Sequence, residues 1–112
     1  SITISGGVPL VVTIALDAGA YVGSNADWWV LAKTSMGKWF YYNHAASSWF
    51  PGKIVTYQGP LFDLSSFEAL NRTDLPPTTY TFYFGVDTIA NGVIDMGDMV
   101  YDSVAVEVLP VK

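Results

Sequence analysis

Residues 80–108 read YTFYFGVDTIANGVIDMGDMVYDSVAVEV, and their alternation decides the fold. Successive side chains of an extended chain point to opposite faces. Tyr80, Phe82, Phe84 and Val86 therefore share one face, while Thr81, Tyr83 and Gly85 share the other. In Met99–Val108, the residues Val100, Asp102, Val104, Val106 and Val108 alternate with Tyr101, Ser103, Ala105 and Glu107. An acidic loop, Asp87–Asp98, joins the two runs. This is the pattern of two late strands of an all-β domain.

The residues just upstream sharpen that reading. Asn71–Thr79 carries Pro76-Pro77 ahead of Tyr80. It looks like the corner before a late strand of an immunoglobulin-like domain, where a Tyr hydroxyl bonds back to backbone a few residues upstream. Tyr80 as a plain strand aromatic is the other reading. Further strands are expected at Ile2–Ser5, Leu10–Leu16, Trp28–Lys33, Lys38–Asn43, Trp49-Phe50 and Lys53–Tyr57. Ser66–Leu70 reads as one helical turn or a short strand. Asp17–Ala26 reads as a loop, and Pro51-Gly52 and Gly59-Pro60 read as breaks. No window sustains a 3.6-residue period, and turn signals recur at roughly 8–12 residues, the pattern of a sandwich. The expectation is one domain over residues 1–112: an antiparallel, immunoglobulin-like β-sandwich of about seven strands.

Composition narrows the function. The 112 residues suffice for one core. Charged residues make up 13%, against about 25% in an average domain. Apolar residues reach 51% and aromatics 15%. So few charges with so many rings suggest extensive sheet and a partner over part of the surface. The net charge is −5 without any Lys/Arg cluster, which argues against nucleic acid. The absence of cysteine removes disulfides, thiolate nucleophiles and Cys-based metal sites. No apolar run approaches the roughly 18–20 residues of a membrane helix. The chain opens on Ser1, as a secreted protein does after its leader is removed; a trimmed fragment opens the same way.

The loop Asp87–Asp98 matches part of the calcium-loop pattern D-x-[DN]-x-[DN]-G-x5-E. Asp87 stands at position 1, Asn91 at 5, Gly92 at 6, the Val93 carbonyl at 7, Asp95 at 9 and Asp98 at 12. Ile89 occupies position 3 without a side-chain oxygen, and Asp98 is shorter than the usual bidentate Glu. A bound Ca²⁺ on Asp87, Asn91, Val93, Asp95 and Asp98 is one expectation. A plain hairpin loop turning at Asn91-Gly92 is the other.

Catalysis has little support. His44 is the single histidine, in a turn that resembles no nucleophile elbow, and a triad needs both a nucleophile and an orienting acid. Asp27, Asp63 and Glu68 are the acids a glycosidase would pair; their separation is set by the fold, and a sandwich of this size rarely encloses a sugar cleft. The expectation is a non-enzyme.

Trp28-Trp29, Trp39-Phe40-Tyr41-Tyr42 and Trp49-Phe50 are consecutive aromatics. Neighbouring strand residues face opposite ways, so a one-sided core cannot bury both members of a pair. Trp28, Trp29, Trp39, Tyr41 and Trp49 are the expected docking residues, since Trp and Tyr dominate interface hot spots. Stacking against a sugar is the alternative use, and cover by long loops such as Asp17–Ala26 is the structural one.

Several phrases together carry a resemblance: Asn25-Ala26-Asp27-Trp28-Trp29-Val30, Tyr57-Gln58-Gly59-Pro60-Leu61-Phe62-Asp63-Leu64, Tyr80–Asp87 with Asn91-Gly92 and Asp95, and Tyr101-Asp102-Ser103-Val104. Over about residues 25–108 the chain resembles small secreted bacterial β-domains of the geopilin domain 2 type, the globular partner chains of certain type IV pili. The resemblance implies an extracellular, non-catalytic subunit packing on a companion helical pilin. Ile89 departs from the Asn that such chains carry there, which weakens the calcium reading. A carbohydrate-binding module with a structural calcium site is the alternative function.

Overall fold

In the computed structural model, residues 2–94 and 99–110 are described, and their regular secondary structure is almost entirely β. Nine strands occur in order: β1 (Ile2–Ile4), β2 (Leu10–Leu16), β3 (Asn25–Thr34), β4 (Trp39–Asn43), β5 (Ser48–Pro51), β6 (Tyr57–Pro60), β7 (Leu64–Arg72), β8 (Thr79–Asp87) and β9 (Met99–Val108). One 3-10 turn, Gly19–Tyr21, interrupts the long β2–β3 connection. Seven strands form one sheet in the order β1-β9-β8-β3-β4-β5, with β6 also on β3; β2 and β7 form a second sheet.

β8 pairs with β3 and β9 in the large sheet while β2 and β7 pair separately, an all-β, sandwich-like arrangement. The Tyr80 hydroxyl donates to the Pro76 carbonyl at 2.8 Å, the tyrosine corner expected at the entry to a late strand. Burial raises the Tyr80 hydroxyl above its ordinary pKa, against a smaller opposing pull from Arg72.

Three expectations are corrected. Among the described residues there are nine strands, against about seven expected. The sandwich is also not wholly antiparallel, because β1 runs parallel to β9, with Ile2 opposite Val106 and Ile4 opposite Val108. Finally, the strand expected at Lys53–Tyr57 lies at Tyr57–Pro60, across the supposed Gly59-Pro60 break. Its pairing with Asn25–Trp28 of β3 overrides local turn propensity, and β6 is an edge strand, where Pro60 costs no interior ladder bond. The same pairing draws Asn25 and Ala26 out of the expected loop. Ser66–Leu70 resolves as strand within β7.

One flank of β3 is shared. β6 pairs with its first half and β4 with Leu31–Lys33. Thr56 fills the gap between them. Its Oγ1 accepts from the Val30 amide at 2.9 Å, and its own amide donates to the Trp28 carbonyl at 2.9 Å. A side-chain oxygen thus satisfies a backbone donor that neither short strand reaches.

The core lies between the sheets. Even-numbered residues of β3 and β8 face inward: Ala26, Trp28, Val30 and Ala32, with Tyr80, Phe82 and Val86, are all buried. They pack on Leu10, Ala69 and Leu70 of the small sheet and on Val106 and Val108. At one end Ala18, Leu61, Leu16 and Leu64 close over Trp28. From β5, the Trp49 indole donates to the Ala69 carbonyl of β7 at 2.8 Å, tying the large sheet to the edge of the small one.

Candidate functional site

Two features of the large sheet's outer face bear on function. The first is a carboxylate pair. Asp27 and Asp87 stand directly opposite each other on β3 and β8, and both are fully buried. Buried carboxylates are costly unless hydrogen-bonded or paired. Asp27 accepts from Gln58 Nε2 at 2.8 Å and from the Gly92 amide at 2.6 Å. Asp87 accepts from the Ile89 amide at 2.9 Å. The Asp27–Gly92 bond joins residues 65 apart in sequence and pins the acidic loop to the outer face.

Of the expected calcium ligands, Asp87 is thus in place at the loop's root. Asn91 spends its Oδ1 on the Val93 amide at 3.0 Å and is exposed, as is Val93. Gly92 takes the positive φ of the turn, 78°, as the hairpin reading of Asn91-Gly92 expects. Asp95 and Asp98 lie outside the described residues. Asp27 is the carboxylate that the sequence did not place beside this loop. It sits in an apolar run between Ala26 and Trp28, and only strand register brings it to Asp87.

The second feature is aromatic. The odd-numbered residues of β3 face outward, and register sets Lys33 beside Trp39, Leu31 between Tyr41 and Tyr83, and Trp29 beside Gly85. Tyr41 continues to Phe50 at 6.1 Å between ring centroids, and Trp39 lies 5.7 Å from Tyr83. The ammonium groups of Lys33 and Lys53 sit 5.3 and 4.6 Å from the Trp39 ring, within cation–π range. Trp29, Leu31, Trp39, Lys53, Tyr83 and Tyr101 help line a shallow cavity of about 400 Å³.

The expected docking set therefore splits. Trp39 and Tyr41 are half-buried on the outer face, where a partner can reach them. Trp28 is a correction: it points into the sandwich at 5% exposure, 4.9 Å from Phe62. Trp29 is on the outer face but only 2% exposed, and Ile94, Met99 and Tyr101 line the same cavity. Gly85 leaves room for the last two, since a Cβ there would stand 2.5 Å from the Met99 methyl and 2.8 Å from Tyr101 Cβ. The indole N–H groups of Trp28 and Trp29 have no partner among the described residues. Trp49 packs between the sheets. Tyr83, Tyr101 and Phe50 join the face instead. The signal for Tyr83 was its place in the outward set with Thr81 and Gly85.

His44 meets the Tyr57 ring edge-on at 5.1 Å, and Asp63 accepts from the Ala18 amide at 2.9 Å. Among the described residues no three His, Asp or Glu side chains converge on a metal-sized site. No protein-family model, curated protein or solved structure matches this chain.

Proposed function

We propose that this domain is a non-catalytic structural subunit that works outside the cell, in a pilus-like filament or similar surface assembly. Its outer aromatic face docks on a companion protein, a short helical pilin. One observation carries the reading: Trp39, Tyr41, Phe50, Tyr83 and Tyr101 share one face of the large sheet, on β4, β5, β8 and β9. Rigid rings of this kind supply contact area at small entropic cost. The resemblance of residues 25–108 to geopilin-type domains supports the choice of partner. The test is assembly: Trp39→Ala with Tyr41→Ala should abolish incorporation into surface complexes while the isolated domain keeps its fold. Undiminished incorporation would count against the face.

The second reading, a carbohydrate-binding module stabilised by calcium, draws on the Asp27–Asp87 pair. Hard carboxylate oxygens suit Ca²⁺, and two opposed buried carboxylates are a site where a cation relieves repulsion. In that reading the ion staples the loop to the sheet, and the rings of the face stack on sugar. Quenching or enhancement of tryptophan fluorescence by polysaccharides separates it from the first.

A further inference from the structure

The charges of this chain are sorted along the length of the sandwich. β2 ends and β7 begins at the same place, with Leu16 opposite Leu64, so Asp17 and Asp63 are neighbours there. The start of β3 and the finish of β8 join that end through the cluster of Ala18, Ala26, Leu61 and Val86, bringing Asp27 and Asp87. No Lys or Arg among the described residues belongs to these segments. The opposite end gathers Lys38 from the β3–β4 turn and Arg72 from the end of β7, with Lys33 at the end of β3. Asp74 and Glu107 are also at that end. Asp74 is bonded to Arg72 at 2.9 and 3.0 Å, whereas Lys38 has no ion pair among the described residues.

Apolar surface follows the same axis. The cationic end holds a cavity of about 510 Å³ between the sheets, lined by Phe40, Trp49, Leu70, Leu75 and Phe82, with Lys38 and the paired Arg72 and Asp74 among its walls, so that Lys38 is its unpaired charge among the described residues. The acidic end carries exposed apolar side chains beside its carboxylates: Tyr21 at 63%, Val22 and Phe62. The Gly23 amide donates to the Leu61 carbonyl and the Leu61 amide to the Ser24 carbonyl, each at 2.8 Å, so the projections are held together.

We infer that the occupant of the cavity is a second copy of this chain. The Tyr21–Val22 and Phe62 projections, flanked by Asp17 and Asp63, enter the apolar cavity beside Lys38 of the next molecule. Cavity and projection lie at opposite ends, so the contact is head-to-tail and repeats. A head-to-tail contact that does not close on itself generates a filament. Opposite charges at the two ends favour this encounter and disfavour head-to-head and tail-to-tail pairing. The contact is separate from the aromatic face, and each can exist without the other.

The test is sedimentation velocity on the full chain at low and high salt, with four variants checked for unchanged thermal unfolding. Wild type should form a concentration-dependent ladder of species that shrinks as salt rises. Lys38→Glu, Asp17→Lys and Tyr21→Ser should each weaken association by about tenfold. A mixture of Lys38→Glu and Asp17→Lys chains should associate more tightly than either alone, because the altered ends again carry opposite signs. Trp39→Ala should leave the ladder intact. A monomer at every concentration overturns the proposal. So does association indifferent to salt and to Lys38→Glu, or a mixture no tighter than its components.

Discussion

Asp27 and Asp87 face each other across the β3–β8 ladder with no solvent exposure on either. Their environment is built from hydrogen bonds: Gln58 and the Gly92 amide serve Asp27, and the Ile89 amide serves Asp87. Asp27→Ala strips the acceptor from Gln58 and Gly92 together. Leaving a buried donor unpaired costs about 1–3 kcal/mol; Gln58 is exposed to water, so the Gly92 amide sets the expected loss at about 1–3 kcal/mol, read as a lower denaturant midpoint. The Gly92 amide should lose its protection from hydrogen exchange in the same variant.

On the second reading, calcium should raise the thermal midpoint of the wild-type domain and not that of Asp87→Asn. A ligand that binds only the folded state stabilises it by mass action, and the ion needs the Asp87 charge. Equal midpoints with millimolar calcium and with chelator would leave hydrogen bonds as the sole support of the pair and remove calcium from the account.

Tyr80→Phe should cost about 1 kcal/mol, the net worth of one hydrogen bond, with no change of fold. It should also alter alkaline behaviour. The buried hydroxyl has its pKa raised on folding, so the neutral phenol is favoured in the native state. That contribution is complete below the ordinary tyrosine pKa and is lost as pH rises through the raised one. Wild type should therefore lose stability more steeply than Tyr80→Phe in alkaline solution, in parallel urea titrations.

The tryptophans should separate by position. Trp28→Ala and Trp29→Ala each remove a buried ring and should destabilise by about 3–5 kcal/mol. Trp39→Ala, at a half-buried site, should cost clearly less. Gly85→Ala should destabilise by about 1–3 kcal/mol, because the added methyl meets Met99 and Tyr101. Urea unfolding of the four variants in one buffer checks the order.

What the sequence revealed and withheld follows from locality. The Tyr80 corner and the Tyr80/Phe82/Phe84/Val86 stripe were legible because both depend on residues close along the chain. The inward turn of Trp28 and the burial of Trp29 were not. Each involves segments remote in sequence: Phe62 against Trp28, and Ile94, Met99 and Tyr101 lining the same cavity as Trp29. β6 was hidden for a similar reason, since Gly59-Pro60 reads locally as a break and becomes strand through pairing with β3. Within the candidate site, Trp39 and Tyr41 were readable as an unburied surplus. Asp27 was not, because nothing in its neighbours announces a partner 60 residues downstream, the separation from Asp87 in the ladder.

The central claim is that the outer aromatic face is a protein interface. Photo-cross-linking on the intact cell surface tests it most directly, with a photoreactive residue placed at Tyr41 or at Tyr101, and at Thr13 on the exposed side of β2 as the control. The account predicts one discrete adduct, shared by positions 41 and 101 and absent at 13. Equal labelling at all three positions, or no adduct from the face, would contradict it.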